Sequence, residues 1–189
     1  TRNRKERTME ISCGAKIREM LKRYGLDQRT TRAETPHYMR QKLSSLQCPP
    51  ADKKLDKLEY PYLSLLMTVA WISMHCRIEL LFILSLLRQY QQNPGKEHFH
   101  ALIRVCDYLR TYPDETIKIG ACKNALEVVY DASFANLEDG HSTGAVLIRF
   151  FGTPIRVWVK KLSVSEVGKC STSTTKAEVK TAAVACEQL

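Results

Sequence analysis

Apolar side chains keep helical spacing through much of the first 110 residues, and the period then changes. Ile17, Met20, Leu21 and Tyr24 recur on one helical face, with Gly25 where a helix ends, which predicts a short amphipathic helix over 15–24. Lys16, Arg18, Lys22 and Arg23 fall mostly on its other faces. Residues 27–52 hold Pro36, Pro49 and Pro50 among many polar side chains and read as a connector with little regular structure. From 62 to about 90 apolar residues occupy nearly every face, as in a helix packed on several sides. Asn93-Pro94-Gly95 stops that pattern. Phe99, Leu102, Ile103, Cys106 and Leu109 then form one stripe and predict a second long helix over 96–110, closed by Pro113.

After Ile119 the segments 126–134, 145–151 and 155–161 are short and rich in Val, Ile, Phe and Trp. Gly140, Gly144 and Gly152-Thr-Pro154 separate them, so they read as three consecutive antiparallel strands. Ser171-Thr-Ser-Thr-Thr175 offers several N-caps for a helix from about Lys176 to the end. The expected fold class is α+β: a helical N-terminal and middle region, then three antiparallel strands and a helix. Such a strand unit is thin, near the least that stands alone.

Composition narrows the class. The chain has 189 residues, 44% hydrophobic and 26% charged, which suits one domain or two small ones and argues against a disordered chain. Its seven cysteines are odd in number and scattered, with no C-x-x-C. That argues against a secreted disulfide framework or a cysteine-based zinc site and for a reducing intracellular compartment. No apolar stretch follows Thr1-Arg-Asn-Arg-Lys-Glu-Arg7, so no signal peptide is visible. Arg77 and Glu79 interrupt the apolar run 61–87, leaving it too short for about 30 Å of hydrocarbon, and no membrane partner is expected.

Charge is uneven. Residues 1–58 carry 15 basic and 7 acidic side chains, residues 59–125 carry 7 and 6, and residues 126–189 carry 7 of each. A basic first third suits a polyanion, nucleic acid being the common case, and suits a solvated helix face equally well. Lys160 and Lys161 are further candidates for phosphate contact. Trp71 and Trp158 offer stacking surfaces, though core packing accounts for both at least as well.

Asp131 lies inside the apolar run Val128-Val-Tyr-Asp-Ala-Ser-Phe134, where a charge is costly unless solvated, paired or bound to metal. Glu178 falls near the first turn of the last helix, where the dipole favours an anion. A carboxylate on a strand and another on a helix packed over it suit a divalent cation such as Mg²⁺. On the residues alone, the plainer reading stands ahead: Asp131 marks a strand end and Glu178 is an ordinary helix acid. His98 and His100 are two apart on a helix and face different ways, which disfavours a shared metal. Phosphate-loop, nucleophile-elbow and zincin signatures are absent from the sequence.

A series of motifs then becomes recognisable. Asp131-Ala-Ser-Phe-Ala135 followed by Glu138-Asp-Gly-His-Ser-Thr-Gly144 resembles the "DASFA…DxRSTSG" opening of the ribonuclease H region in Ty1/copia-type retrotransposon Pol polyproteins. Pro154-Ile155, Trp158 and Lys160-Lys161 resemble its "PISWxSKKQ" strand, and Ser171-Thr-Ser-Thr-Thr-Lys-Ala-Glu178 its "SSTEAEY" helix start. Upstream, Tyr62-Leu-Ser-Leu-Leu66 is similar to "YRSLVGSL". Asn93-Pro94, Glu97-His-Phe99, Ala101, Arg104-Val105 and Tyr108-Leu-Arg110 are similar to "NPTxEHWxALKRVLRYLKGT". Ile17 to Leu26 with Thr35-Pro36 resembles the stretch near the end of the reverse transcriptase. The order is unbroken over about 10–189.

The resemblance implies three regions: 1–58 as the basic end of a reverse transcriptase-like region, 59–119 as a helical connection, and 120–189 as a partial, truncated ribonuclease H-like domain. It implies that Asp131 and Glu178 match the first two metal-binding acids, with two Mg²⁺ serving cleavage of the RNA strand of an RNA–DNA hybrid. Lys16, Arg18, Lys22, Arg23, Lys160 and Lys161 would hold nucleic-acid backbone. It further implies an intracellular setting, in a cytoplasmic particle or the nucleus, and other Pol or Gag-Pol subunits as partners. The polymerase carboxylates are expected upstream of Thr1 and a third acidic ligand beyond Leu189, so the chain as given is expected to be catalytically incomplete. Lys176 stands where the family has Glu, and Cys76-Arg77-Ile78-Glu79 replaces "RPDI". The alternative expectation is a non-catalytic remnant that binds nucleic acid or protein.

Overall fold

The computed structural model describes residues 1–38, 43–50, 53–120, 125–133, 137, 141–162 and 174–188. Among them are five α-helices and two three-stranded sheets, a mixed α+β architecture. They form two compact units, one of Ile11–Ile117 and one of Thr1–Glu10 with Lys118–Leu189.

The first unit is helical: α1 Gly14–Arg23, α2 Tyr62–His75, α3 Leu81–Arg88 and α4 Lys96–Thr111. The stripe on α1 is buried through Ile17, Met20 and Leu21. Gly25 closes the helix at φ 65°, with Leu26 N–H donating to Leu21 O (2.8 Å) and Gly25 N–H to Lys22 O (3.2 Å). Such a double bond across the helix end needs a left-handed residue, which glycine supplies without strain. These α1 residues share one core with Leu66 and Val69 of α2, Leu84 and Leu87 of α3, and Leu102 and Leu109 of α4. Each such leucine contributes roughly 2 kcal/mol through burial.

The single helix expected over 62–90 is instead two. Arg77 is the reason. Its side chain is 1% exposed, so the guanidinium must find partners inside the protein. Nε donates to Glu79 Oε1 at 2.6 Å, a second nitrogen donates to Tyr112 O at 2.5 Å, and the group lies 5.1 Å from the Tyr108 ring. To reach them the backbone leaves helical geometry at Cys76 and Arg77 (φ −143° and −127°), and a 3-10 turn, Ile78–Leu80, leads into α3. Nor is α2 packed on every side: Leu63, Met67, Trp71 and Met74 form an exposed stripe. Of the two readings open for Trp71, stacking and core packing, the structure has it exposed and stacked on His75, ring centres 4.0 Å apart. No helix among the described residues is long and apolar enough to cross a membrane.

At the start of α4, Gly95 N–H donates to His98 Nδ1 (2.9 Å), which leaves the ring proton on Nε2, facing Ser44 O at 3.1 Å. His98 is fully buried and stacks on Tyr90, whereas His100 is exposed, so the two histidines face different ways.

A small sheet joins β1 Arg2–Asn3, β2 Thr8–Ser12 and β3 Thr116–Ile119 in the order β1-β2-β3. The hydrophobic pattern did not predict it, because β2 leaves its apolar residues Met9 and Ile11 exposed. The second sheet matches the three expected strands: β4 Leu126–Ser133, β5 Thr143–Phe150 and β6 Thr153–Lys161, antiparallel in sequence order. Phe151 (φ 47°) and Gly152 (φ 76°) form its two-residue turn. The last helix, α5 Thr174–Glu187, begins just ahead of Lys176. The caps expected at 171–173 and the motif residues 134–136 and 138–140 lie outside the described residues, as does the Lys176 side chain.

Val146, Ile148 and Ala185 form the centre of this second core, with Val128, Trp158 and Val184 packed around them. The residues α5 buries are small: Ala177, Thr181 and Ala185, one helical turn apart. A Cβ on Gly144 would come within 2.7 Å of Thr181 Oγ1 and of Leu162. The glycine and the small stripe together let the helix lie close on β5.

Candidate functional site

That close approach positions the two carboxylates singled out in the sequence. Glu178 follows Ala177, the first residue of the small stripe, and so lies at the border between the buried face of α5 and solvent. Asp131 lies on β4, opposite Ala145 of β5, and among the described residues β4 pairs on that side only. Asp131 and Glu178 line one cleft of about 270 Å³, together with Tyr130, Val179 and Ala182. Both are exposed. The cleft is thus an open acidic site with an aromatic and aliphatic wall.

The donor set bears on the metal. Mg²⁺ is commonly held by one or two carboxylates with water and substrate phosphate completing its shell, and two carboxylates beside an open cleft fit one such ion. They do not fit a two-metal centre by themselves. Among the described residues no group of three or more His, Cys, Asp or Glu side chains is arranged to hold a metal.

Lys160 and Lys161 end β6 in register with Gly144 and Thr143, which face Ala132 and Ser133 of β4. The two lysines therefore stand at the Asp131 end of the sheet, two strands away, or roughly 10 Å. The strand register thus brings them to the same end of the sheet as Asp131, a relation the sequence did not display, though neither lines the acidic cleft.

The other four basic candidates belong to α1 in the helical unit. Lys16 is engaged with Glu19 at 2.9 Å, and Arg18 pairs with Asp114. Lys22 and Arg23 are exposed on the last turn, with Arg23 5.7 Å from the Tyr24 ring. Arg23 also lines a larger cleft of about 800 Å³, which Arg29, Tyr38, Phe99, His100 and Arg104 share. Arg29 and Tyr38 were not singled out from the sequence. The signal available was on α4, where His100, Ile103, Arg104 and Asp107 follow one helical face.

Asp107 anchors that cleft, accepting from Arg29 Nε and a terminal nitrogen at 2.9 and 3.0 Å. The hydrogen bond to Asp107 raises the Arg29 guanidinium further above its ordinary value. Arg104 lies over the Tyr38 ring at 3.4 Å and donates to Thr35 Oγ1 at 3.1 Å. Burial, with Arg104 adding to it, holds His37 below its ordinary value, so this imidazole resists protonation beside the Arg104 guanidinium.

The chain is 27% identical over 180 residues to the retrovirus-related Pol polyprotein from transposon TNT 1-94 of Nicotiana tabacum, a match covering 94% of this chain. It spans 13% of the length of that relative. No protein-family model matches the chain. No solved structure matches it either. The match runs nearly the full length of the chain, as does the ordered series of motifs, and both point to a likeness with one stretch of a retrotransposon Pol polyprotein of the Ty1/copia type.

Proposed function

We propose that the chain spans the end of the reverse transcriptase region and the first part of the ribonuclease H region of such a polyprotein, and that it binds RNA–DNA hybrid. In this reading Asp131 and Glu178 would hold Mg²⁺, and Lys160 and Lys161 would neutralise neighbouring phosphates. Lys22 and Arg23 give further backbone contacts. The observation that carries the reading is the meeting of Asp131 and Glu178 in one open cleft. Bound Mg²⁺ supplies Lewis-acid polarisation of the phosphate and neutralises charge as it develops. The chain's own part is to orient the phosphate between the carboxylates and the β6 lysines. With two carboxylates and no third acid beside them among the described residues, binding outlasts hydrolysis: the chain alone holds hybrid and does not cut it efficiently.

Labelled hybrid titrated with the chain in Mg²⁺ tests this. The expected result is salt-sensitive binding with little cleavage. Asp131→Asn and Glu178→Gln should each weaken binding of Mn²⁺, followed by its paramagnetic broadening, while leaving hybrid affinity within about twofold. Efficient cleavage that disappears in Asp131→Asn would make the chain a complete nuclease. Absence of hybrid binding by folded protein would refute the reading altogether.

The exposed Leu63, Met67, Trp71 and Met74 stripe favours a second reading, contact with another Pol subunit. Concentration-dependent association abolished by Met67→Lys, with hybrid binding kept, is its test.

A further inference from the structure

Cys13 and Cys76 are 63 residues apart in the chain, yet their Sγ atoms approach to 2.6 Å. That is within about 0.6 Å of a disulfide bond length. The approach is fixed by the helical core. Cys13 immediately precedes α1, and its carbonyl accepts from Ile17 N–H at 2.9 Å. Cys76 immediately follows α2, and its N–H donates to Ile72 O at 3.0 Å. Ile17 and Ile72 are both fully buried, so the two helix ends that carry the cysteines are anchored in the core. Both cysteines lie in the helical unit.

We propose that Cys13 and Cys76 form a thiol–disulfide exchange site whose substrate is a small-molecule disulfide of the glutathione class. The accessibilities set the order of steps. Cys13 is partly exposed and Cys76 is 4% exposed. Burial, with the neighbouring Cys13 adding to it, pushes the Cys76 thiol up to about 12. Cys13 gives up its proton and attacks one sulfur of the small disulfide. That S–S bond breaks, and the departing thiolate takes a proton. Cys76 then loses its proton as its sulfur attacks Cys13 Sγ, and the second small thiol leaves. Two protein thiols are oxidised, one small disulfide is reduced to two thiols, and protons balance. The product ties the start of α1 to the end of α2. In a reducing compartment both cysteines stay as thiols, which accords with the scattered cysteine pattern.

The test uses the full chain, folded, in mixtures of reduced and oxidised glutathione, with digestion and mass spectrometry under non-reducing conditions. A peptide linking Cys13 to Cys76, a mass loss of about 2 Da at that link and a rise in Tm on the order of 10 °C are expected. Cys76→Ser should stop at a mixed disulfide on Cys13, and Cys13→Ser should leave Cys76 unmodified. The proposal fails if folded wild-type protein holds a glutathione adduct on Cys13 with no link to Cys76. It fails equally if both remain thiols while exposed Cys186 is oxidised.

Discussion

Asp107 has a side chain only 5% exposed, and Arg29 meets it with two parallel bonds while Arg110 Nε stands 3.9 Å away. Arg29 is the more exposed partner, with 39% of its side chain open to solvent, so the two residues are not equivalent under mutation. Removing the carboxylate frees a guanidinium that water can reach. Removing the guanidinium strands a carboxylate that water reaches poorly. Arg29→Ala should therefore cost about 2 kcal/mol, and Asp107→Asn less, because the amide oxygen still accepts from Arg29. Urea unfolding of the two variants checks this, and an equal loss in both would contradict the burial argument. Arg29→Lys should recover only part of the loss, since an ammonium does not match a carboxylate with two parallel donors.

Between elements, the decisive packing is α5 on the second sheet. Gly144 and the Ala177, Thr181, Ala185 stripe set the distance between them, and a methyl on Gly144 meets Thr181 Oγ1, Leu162 and, at 3.1 Å, the Trp158 ring. Leu162 can turn aside, but the ring and the short threonine side chain have little freedom. Gly144→Ala should cost roughly 2 kcal/mol by overpacking and should weaken Mn²⁺ binding at Asp131 and Glu178 by lifting one carboxylate off the other. Thermal unfolding and paramagnetic broadening read the two effects separately. If stability falls and metal affinity does not, the helix does not set the distance between the carboxylates. The elements themselves were legible because burial leaves a period: Ile17, Met20 and Leu21 mark α1, and Phe99 to Leu109 mark α4. Where burial leaves none, the sequence was silent, as at β2 with its exposed Met9 and Ile11. The break at Arg77 was half legible. The charge was visible, but its partner Tyr112 O is 35 residues away and no local pattern points to it. Asp131 and Glu178 were legible as odd residues in their settings, whereas the placing of Lys160 at the Asp131 end of the sheet needed the strand register.

At the scale of the whole molecule, positive charge and acidic chemistry are separated along the chain. Residues 1–58 hold 15 basic against 7 acidic side chains, while the carboxylate cleft lies in the last third, which carries 7 of each. Lys22 and Arg23 stand exposed at the end of α1, and Lys16 and Arg18 are already partnered by Glu19 and Asp114. A paired cation has less to gain from a phosphate, because the contact must first displace its carboxylate. Hybrid binding should therefore depend on Lys22 and Arg23 more than on Lys16 and Arg18. Each phosphate contact contributes about 0.9 to the slope of log affinity against log salt. Replacing Lys22 and Arg23 by glutamine should lower that slope by about 2, and Lys16→Gln with Arg18→Gln should lower it by less than 1. Lys160→Gln with Lys161→Gln should also lower it by about 2 if the β6 lysines flank the bound strand. Titrations between roughly 50 and 200 mM salt resolve such differences, because a slope change of 2 amounts to about a tenfold difference in affinity over that range. Slopes equal to the parent's in all three double variants would mean that the hybrid lies on neither basic group. A loss confined to Lys160 and Lys161 would place recognition on the sheet end beside Asp131 and leave the basic first third as a solvated helix face.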